Sequence, residues 1–160
     1  MKIRELAQHW EETAKGRLTK TGYSIHLDVE AAARLGGIVA GADETLEQRL
    51  AAFGMHLGTA FQLIDDVLDY EGSAEELGKN LGDDLREGKV TLPVICALRQ
   101  GTEAQNILIR QAIEHGDVDH LDEILSIVRQ TGALEMARRS AMAEAQRAID
   151  AARLLPANQY

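Results

Sequence analysis

Apolar residues in this chain recur three and four apart almost from end to end, and no segment alternates with a period of two for long enough to make a strand. That pattern predicts an all-α fold, and the punctuation divides it into helices. A first helix is predicted over about Ile3 to Lys15, ending at Gly16, and a second over about Ser24 to Ala40, ending near Gly41. The segment between them, GRLTKTGY, reads as a basic loop. Asp43 suits the N-cap of a long helix running to about Tyr70, whose apolar face takes in Leu46, Leu50, Phe53, Leu57, Phe61, Ile64 and Leu68. The glycine-rich stretch EGSAEELGKNLGDDLREGKVTLP then breaks the periodicity and reads as loop with a turn or two of helix. Pro93 opens the next helix, and three more are predicted near Glu103 to His115, Val118 to Gln130 and Ala133 to Leu155, closed by Pro156. With 160 residues, 45% of them hydrophobic, the chain is long enough for one domain, residues 1–160, with a sizeable core.

Charge and special residues narrow the function classes. Twenty-six acidic residues against 17 basic ones give a net charge of -9, which argues against general nucleic-acid binding and leaves room only for a local basic site. The N-terminal MKIRELAQHWEE has no apolar signal core, and no run approaches the roughly 18 apolar residues of a membrane span, so a soluble, cytoplasmic chain is expected. Cys96 stands alone and reads as a small core residue. His9, His26, His56, His115 and His120 show no metal-ligand spacing.

The end of the long helix, FQLIDDVLDYEG, carries the chemistry. With about 100° per residue and Asp65 set at 0°, Asp69 falls near 40°, Gln62 near 60° and Asp66 near 100°, so three carboxylates and an amide share one side. Leu63, Val67, Ile64 and Leu68 occupy roughly 160° to 300° and are expected to face the core. Carboxylates this close disfavour one another's ionisation unless a cation joins them. A divalent ion such as Mg²⁺ suits the set, because it takes one or two carboxylates and fills its octahedron with water and phosphate oxygens. The aspartates alone are a weak signal, since a solvated acidic helix end has the same composition. What strengthens it is the next segment, where Lys79, Arg86 and Lys89 lie among glycines. Basic side chains neutralise phosphate oxygens that a metal leaves uncovered, and glycine lets the backbone come close to an anion.

GTAFQLIDDVLDY followed by LGKNLGDDLREGKVTLPVICAL resembles the second aspartate-rich region of the trans-polyprenyl diphosphate synthases, closest to the octaprenyl type. The similarity extends over about residues 30–155. The resemblance implies part of an isoprenoid-synthase helical bundle, of the polyprenyl synthase type, in which Mg²⁺ ions held by two aspartate-rich helices bind an allylic diphosphate. The diphosphate ionises, and the carbocation is attacked by isopentenyl diphosphate in a prenyl transfer. Carried over by position, Asp65 is a direct Mg²⁺ ligand, and Asp66 and Asp69 are ligands or hold the metal through water. Gln62 and Lys79 lie beside the allylic diphosphate, and Phe61 lines its pocket. Lys89 and Lys20 are weaker substrate-binding candidates. Asp83 has a supporting role near the site, and Asp84 is structural or capping.

The resemblance stops at one half of the family's pattern. Its first aspartate-rich motif and the paired arginines that follow it are missing, and residues 1–22 contain no aspartate. The chain therefore looks like the C-terminal half of a family member, with residues 1–22 unlike the family. Two alignments compete for the family's diphosphate lysine. KTG at Lys20 to Gly22 keeps the dipeptide but sits far from Ala31 to Ala33, whereas YSIH at Tyr23 to His26 nearly keeps the distance and loses the lysine. Three readings follow: a half-enzyme, inactive alone, that needs a complementing synthase half; a non-catalytic or regulatory diphosphate-binding subunit of a complete synthase; and a self-associating helical protein whose acidic face is only solvated. Half a bundle leaves apolar faces uncovered, so a homo-oligomer, most simply a dimer, is also expected.

Overall fold

The computed structural model describes residues 25–71, 81–115 and 119–156. Among them every regular element is helical: α1 (Ile25–Val39), α2 (Glu44–Glu71), α3 (Asp83–Arg86), α4 (Leu92–Gln100), α5 (Glu103–His115), α6 (Leu121–Gln130) and α7 (Ala133–Arg153). The helix expected over Ile3 to Lys15 lies outside the described residues. No described helix is long and apolar enough to cross a membrane.

The helix ends are built from the residues that the sequence marks. α1 closes on Gly41, whose φ of +79° only glycine adopts without strain, and the Ala42 N–H donates to the Gly37 carbonyl at 2.9 Å while the Gly41 N–H donates to Ile38 at 3.1 Å. Asp43 caps α2, its Oδ1 accepting the Leu46 N–H at 2.8 Å. Gly88, at φ +69°, closes α3 with the same double bond pattern, Lys89 N–H to the Asp84 carbonyl at 2.8 Å and Gly88 N–H to Leu85 at 3.0 Å. Pro93 sits in the first turn of α4, where its missing N–H costs nothing.

The chain divides into two compact units. The first comprises residues 1–62 and 142–160. Within it α1 lies close against α2 because Gly54 and Gly58 leave no side chain in the way. A Cβ at Gly58 would stand 2.5 Å from the His26 Cα, and one at Gly54 would stand 2.6 Å from the Val29 carbonyl oxygen. The Arg34 guanidinium donates to Glu47 at 2.6 Å and joins the same two helices. The end of α7 is held to α2 by His56 Nδ1 against Glu144 Oε2 at 2.7 Å and by Arg49 donating to the Leu154 carbonyl at 2.8 Å.

The second unit, residues 63–141, contains a core of fully buried Val67, Tyr70, Leu85, Val94, Ile109, Ile124 and Val128, with Cys96 among them as a small apolar residue. Val67 and Tyr70 bring the end of α2 into that core, at about 140° to 200° on the helix when Asp65 is at 0°. Ile64 and Leu68 do not join it. They are 37% and 36% exposed, which corrects the expectation that they face the core: only part of the apolar arc is covered by the helices that pack against α2.

Candidate active site: the end of the long helix

The last three turns of α2 present the predicted residues in graded burial. Asp66 is buried at 7% exposure, Asp65, Asp69 and Gln62 are half-buried, and Phe61 is 60% exposed. Gln62, Asp65 and Asp66 each have an interaction partner. A carboxylate as buried as Asp66 must be compensated by a hydrogen bond or a cation, which makes it more than a solvated helix end.

Asp69 is anchored by the chain that follows. Its backbone carbonyl accepts the Gly82 N–H at 3.0 Å, and its Oδ2 accepts the Asp84 N–H at 3.2 Å, so the start of α3 is clasped to the end of α2. Burial pushes the Asp69 carboxyl up from 3.8 to about 6, with the charges of Asp84 and Asp83 adding to the rise and their backbone N–H groups opposing it. The basic side chains described nearby are already engaged. Lys89 binds Glu87 at 2.7 Å and Asp84 at 3.4 Å, and Glu87 followed by Asp84 holds its ammonium above the ordinary lysine range. Arg86 pairs with Asp83 at 2.9 Å. Lys79 and Lys20 lie outside the described residues.

Two arginines that sequence reasoning did not single out fix the end of α2. Arg129 donates to the Tyr70 carbonyl at 3.3 Å, satisfying one of the orphan acceptors of a helix terminus, and Arg138 pairs with both carboxylate oxygens of Glu71. Both come from helices α6 and α7, about 60 residues further on, so no local spacing announces them.

The donor set is all oxygen: three carboxylates and an amide on about 100° of helix. Among the described residues no three His, Cys, Asp or Glu side chains are gathered so as to enclose a metal by themselves. An ion that keeps waters and takes its remaining ligands from a phosphate needs no such enclosure, and the hard carboxylates fit Mg²⁺ in that partial role.

The raised Asp69 pKa has a consequence for stability. The folded state binds the Asp69 proton more tightly than the unfolded chain, so the group costs stability as pH rises from about 4 through about 6, and the cost persists at neutral pH. Asn at this position accepts the Asp84 N–H without carrying charge. Asp69→Asn is expected to raise Tm by a few degrees at pH 7.5 in the absence of divalent ions, on the scale of about 2–4 °C per kcal/mol for a chain of this size, and to leave it unchanged near pH 3. The carboxyl is partly open to solvent, which keeps the effect small. Thermal melts at both pH values check it; an equal or lower Tm at pH 7.5 contradicts the assignment.

The polyprenyl synthetase family model matches residues 5–129, a stretch that takes in most of the N-terminal segment as well as α1 to α6. The octaprenyl diphosphate synthase of Haemophilus influenzae is 48% identical over 151 residues, which are 93% of this chain and 46% of that protein. The octaprenyl diphosphate synthase of Escherichia coli is 51% identical over 128 residues, 79% of this chain and 40% of that protein. Among solved structures, the polyprenyl synthase of Caulobacter crescentus CB15, complexed with calcium and isoprenyl diphosphate, superimposes with a TM-score of 0.78 at 30% identity, over 98% of this chain and 52% of that one. The chain thus spans about half the length of the relatives it matches. Its all-α fold is that of these synthases, and the chain belongs to the polyprenyl synthetase family.

Proposed function

We propose that this chain supplies the second aspartate-rich helix of a polyprenyl diphosphate synthase of the octaprenyl type and holds an allylic diphosphate, with Mg²⁺, for prenyl transfer in the cytoplasm. The observation that carries the reading is the clustering of Asp65, Asp66, Asp69 and Gln62 on one side of the end of α2, with Asp66 buried among them. A relative bound to calcium and isoprenyl diphosphate supports it.

In this reading Asp65, Asp66 and Asp69 would hold the metal from the protein side, leaving it free to take water and diphosphate oxygens. Bound there, Mg²⁺ supplies positive charge to the departing diphosphate. Gln62 orients the diphosphate, and Lys79 neutralises oxygens that the metal leaves open. Phe61 places an aromatic face beside the prenyl chain. The allylic C–O bond breaks with its electron pair leaving on diphosphate, the double bond of isopentenyl diphosphate attacks the carbocation, and the new carbocation loses a proton to the released diphosphate, which forms the product double bond. Lys89, tied to Glu87 and Asp84, holds the α3 segment in place more directly than it reaches a substrate. The remaining half of the site, with the first aspartate-rich motif, comes from a complementing half of the synthase.

Joint binding is the test. Calorimetry with inorganic diphosphate is expected to show strong heat only when Mg²⁺ is present, and Mg²⁺ alone is expected to bind weakly. Equal heats with and without Mg²⁺ would sink the reading.

A further inference from the structure

The end of α2 carries the wrong charge for a helix terminus. Its last turn holds Asp69 and Glu71 and no basic residue, although the C-terminus of a helix is its negative end and favours cations. The last carbonyls also lack partners inside the helix. Two arginines from the same compact unit offset both deficits. Arg129 of α6 donates to the Tyr70 carbonyl at 3.3 Å, and Arg138 of α7 grips Glu71 with two nitrogens, its Nε donating to Oε1 at 3.4 Å and its Nη2 to Oε2. With the Gly82 N–H on the Asp69 carbonyl, each of the last three residues of α2 is held from outside the helix.

The grip lies close to the candidate ligands. With 1.5 Å of rise per residue, Glu71 stands about 3 Å along the axis from Asp69 and about 9 Å from Asp65. Loosening the last turn therefore displaces Asp69 and leaves Asp65, a turn further in, where it is. The Arg138 and Glu71 side chains are 41% and 29% exposed, and a pair that open adds little to the stability of the whole unit. Its effect is concentrated at the helix end, where fraying is easiest.

We infer that Arg129 and Arg138 are positioning residues that keep Asp69 aligned for metal and diphosphate, an inference that rests on the proposed function above. Both act through α2 and neither touches the diphosphate. They keep the last turn helical before the metal arrives, so that binding does not first have to order it; a site competent only part of the time binds more weakly by that fraction.

Calorimetry with inorganic diphosphate and saturating Mg²⁺ on the full chain reads the effect. Arg129→Gln and Arg138→Gln are each expected to weaken joint binding about two- to fivefold, the range of a helix-end charge contact, and the double variant about tenfold. Arg138→Lys keeps the charge and should recover part of the loss; it also serves where Arg138→Gln fails to fold. Arg139→Gln removes the same charge from the same helix at a residue paired with Glu135 at 3.4 Å, and should change nothing. In an Asp69→Asn chain the double substitution should add no further loss, whereas a merely structural role repeats its full effect there. Amide exchange of residues 69–71 should quicken about tenfold in the double variant, with the α5 amides unchanged. Joint binding indifferent to the double substitution, or the full loss repeated in the Asp69→Asn chain, overturns the inference while the proposed site stands. No Mg²⁺-dependent heat from the unaltered chain rejects the proposed site, and the positioning role falls with it whatever the exchange rates show.

Discussion

Incubated with farnesyl diphosphate, labelled isopentenyl diphosphate and Mg²⁺, this chain alone is expected to form no product above background, and to form product once the N-terminal half of a related synthase is supplied. The reason is the chemistry of ionisation. In the proposed reading an allylic diphosphate is gripped through metal from two sides before its C–O bond breaks, and this chain supplies one aspartate-rich helix end. In the reconstituted mixture Asp65→Ala is expected to lower turnover about 10²- to 10³-fold, the range typical of removing one preorganised electrostatic contact in a transition state. Asp43→Asn, which keeps the cap at the far end of the same helix, should leave turnover unchanged and shows that the loss is not a matter of α2 unfolding. Product from this chain alone, at a rate near that of the mixture, would overturn the half-site reading.

A second large effect is expected at the crossing of α1 and α2. Gly58→Ala places a Cβ 2.5 Å from the His26 Cα, where the obstacle is backbone and no rotamer change relieves it. Alanine gains up to about 1 kcal/mol over glycine in helix propensity, so the overpacking must first cancel that gain. Backbone-level clashes cost about 1–3 kcal/mol and at times more, and here α1 has to lift off along its first turn. A net loss of about 2 kcal/mol is expected, lowering Tm by about 4–8 °C. Gly36→Ala is the control, because nothing lies within 4 Å of its Cβ, and it should be neutral or slightly stabilising. Comparable melts for the two variants would show that the helices do not approach as closely as Gly54 and Gly58 permit.

Much of this architecture was legible from residues three and four apart. The Asp43 cap, the Gly41 stop and the start of α4 beside Pro93 all depend on a few neighbouring residues, and local sequence is where such signals reside. The grouping of Asp65, Asp66, Asp69 and Gln62 is likewise a property of one helix. Less legible was which part of the apolar arc of α2 is covered. Val67 is wholly buried and Leu68, the next residue, is 36% exposed, and nothing in either side chain distinguishes them. That outcome is decided by which distant helices pack on α2. Arg129 and Arg138 belong to the same class, for their partners Tyr70 and Glu71 are 59 and 67 residues away in sequence. The glycines at 54 and 58 were visible as letters, but their meaning depends on where α1 lies.

The clasp at Asp69 also bears on what the chain tolerates being added to it. Hydrogen bonds from Gly82 and Asp84 back to Asp69 close the intervening segment into a ring of fixed anchorage. The entropy of closing such a ring grows only with the logarithm of its size, about 0.6 kcal/mol for each doubling. Lengthening the ring is therefore cheap, while altering its three anchoring positions is not. Gly82 is the anchor most exposed to damage, because its φ of +73° favours glycine and a Cβ there would stand 2.4 Å from the Leu121 Cδ1.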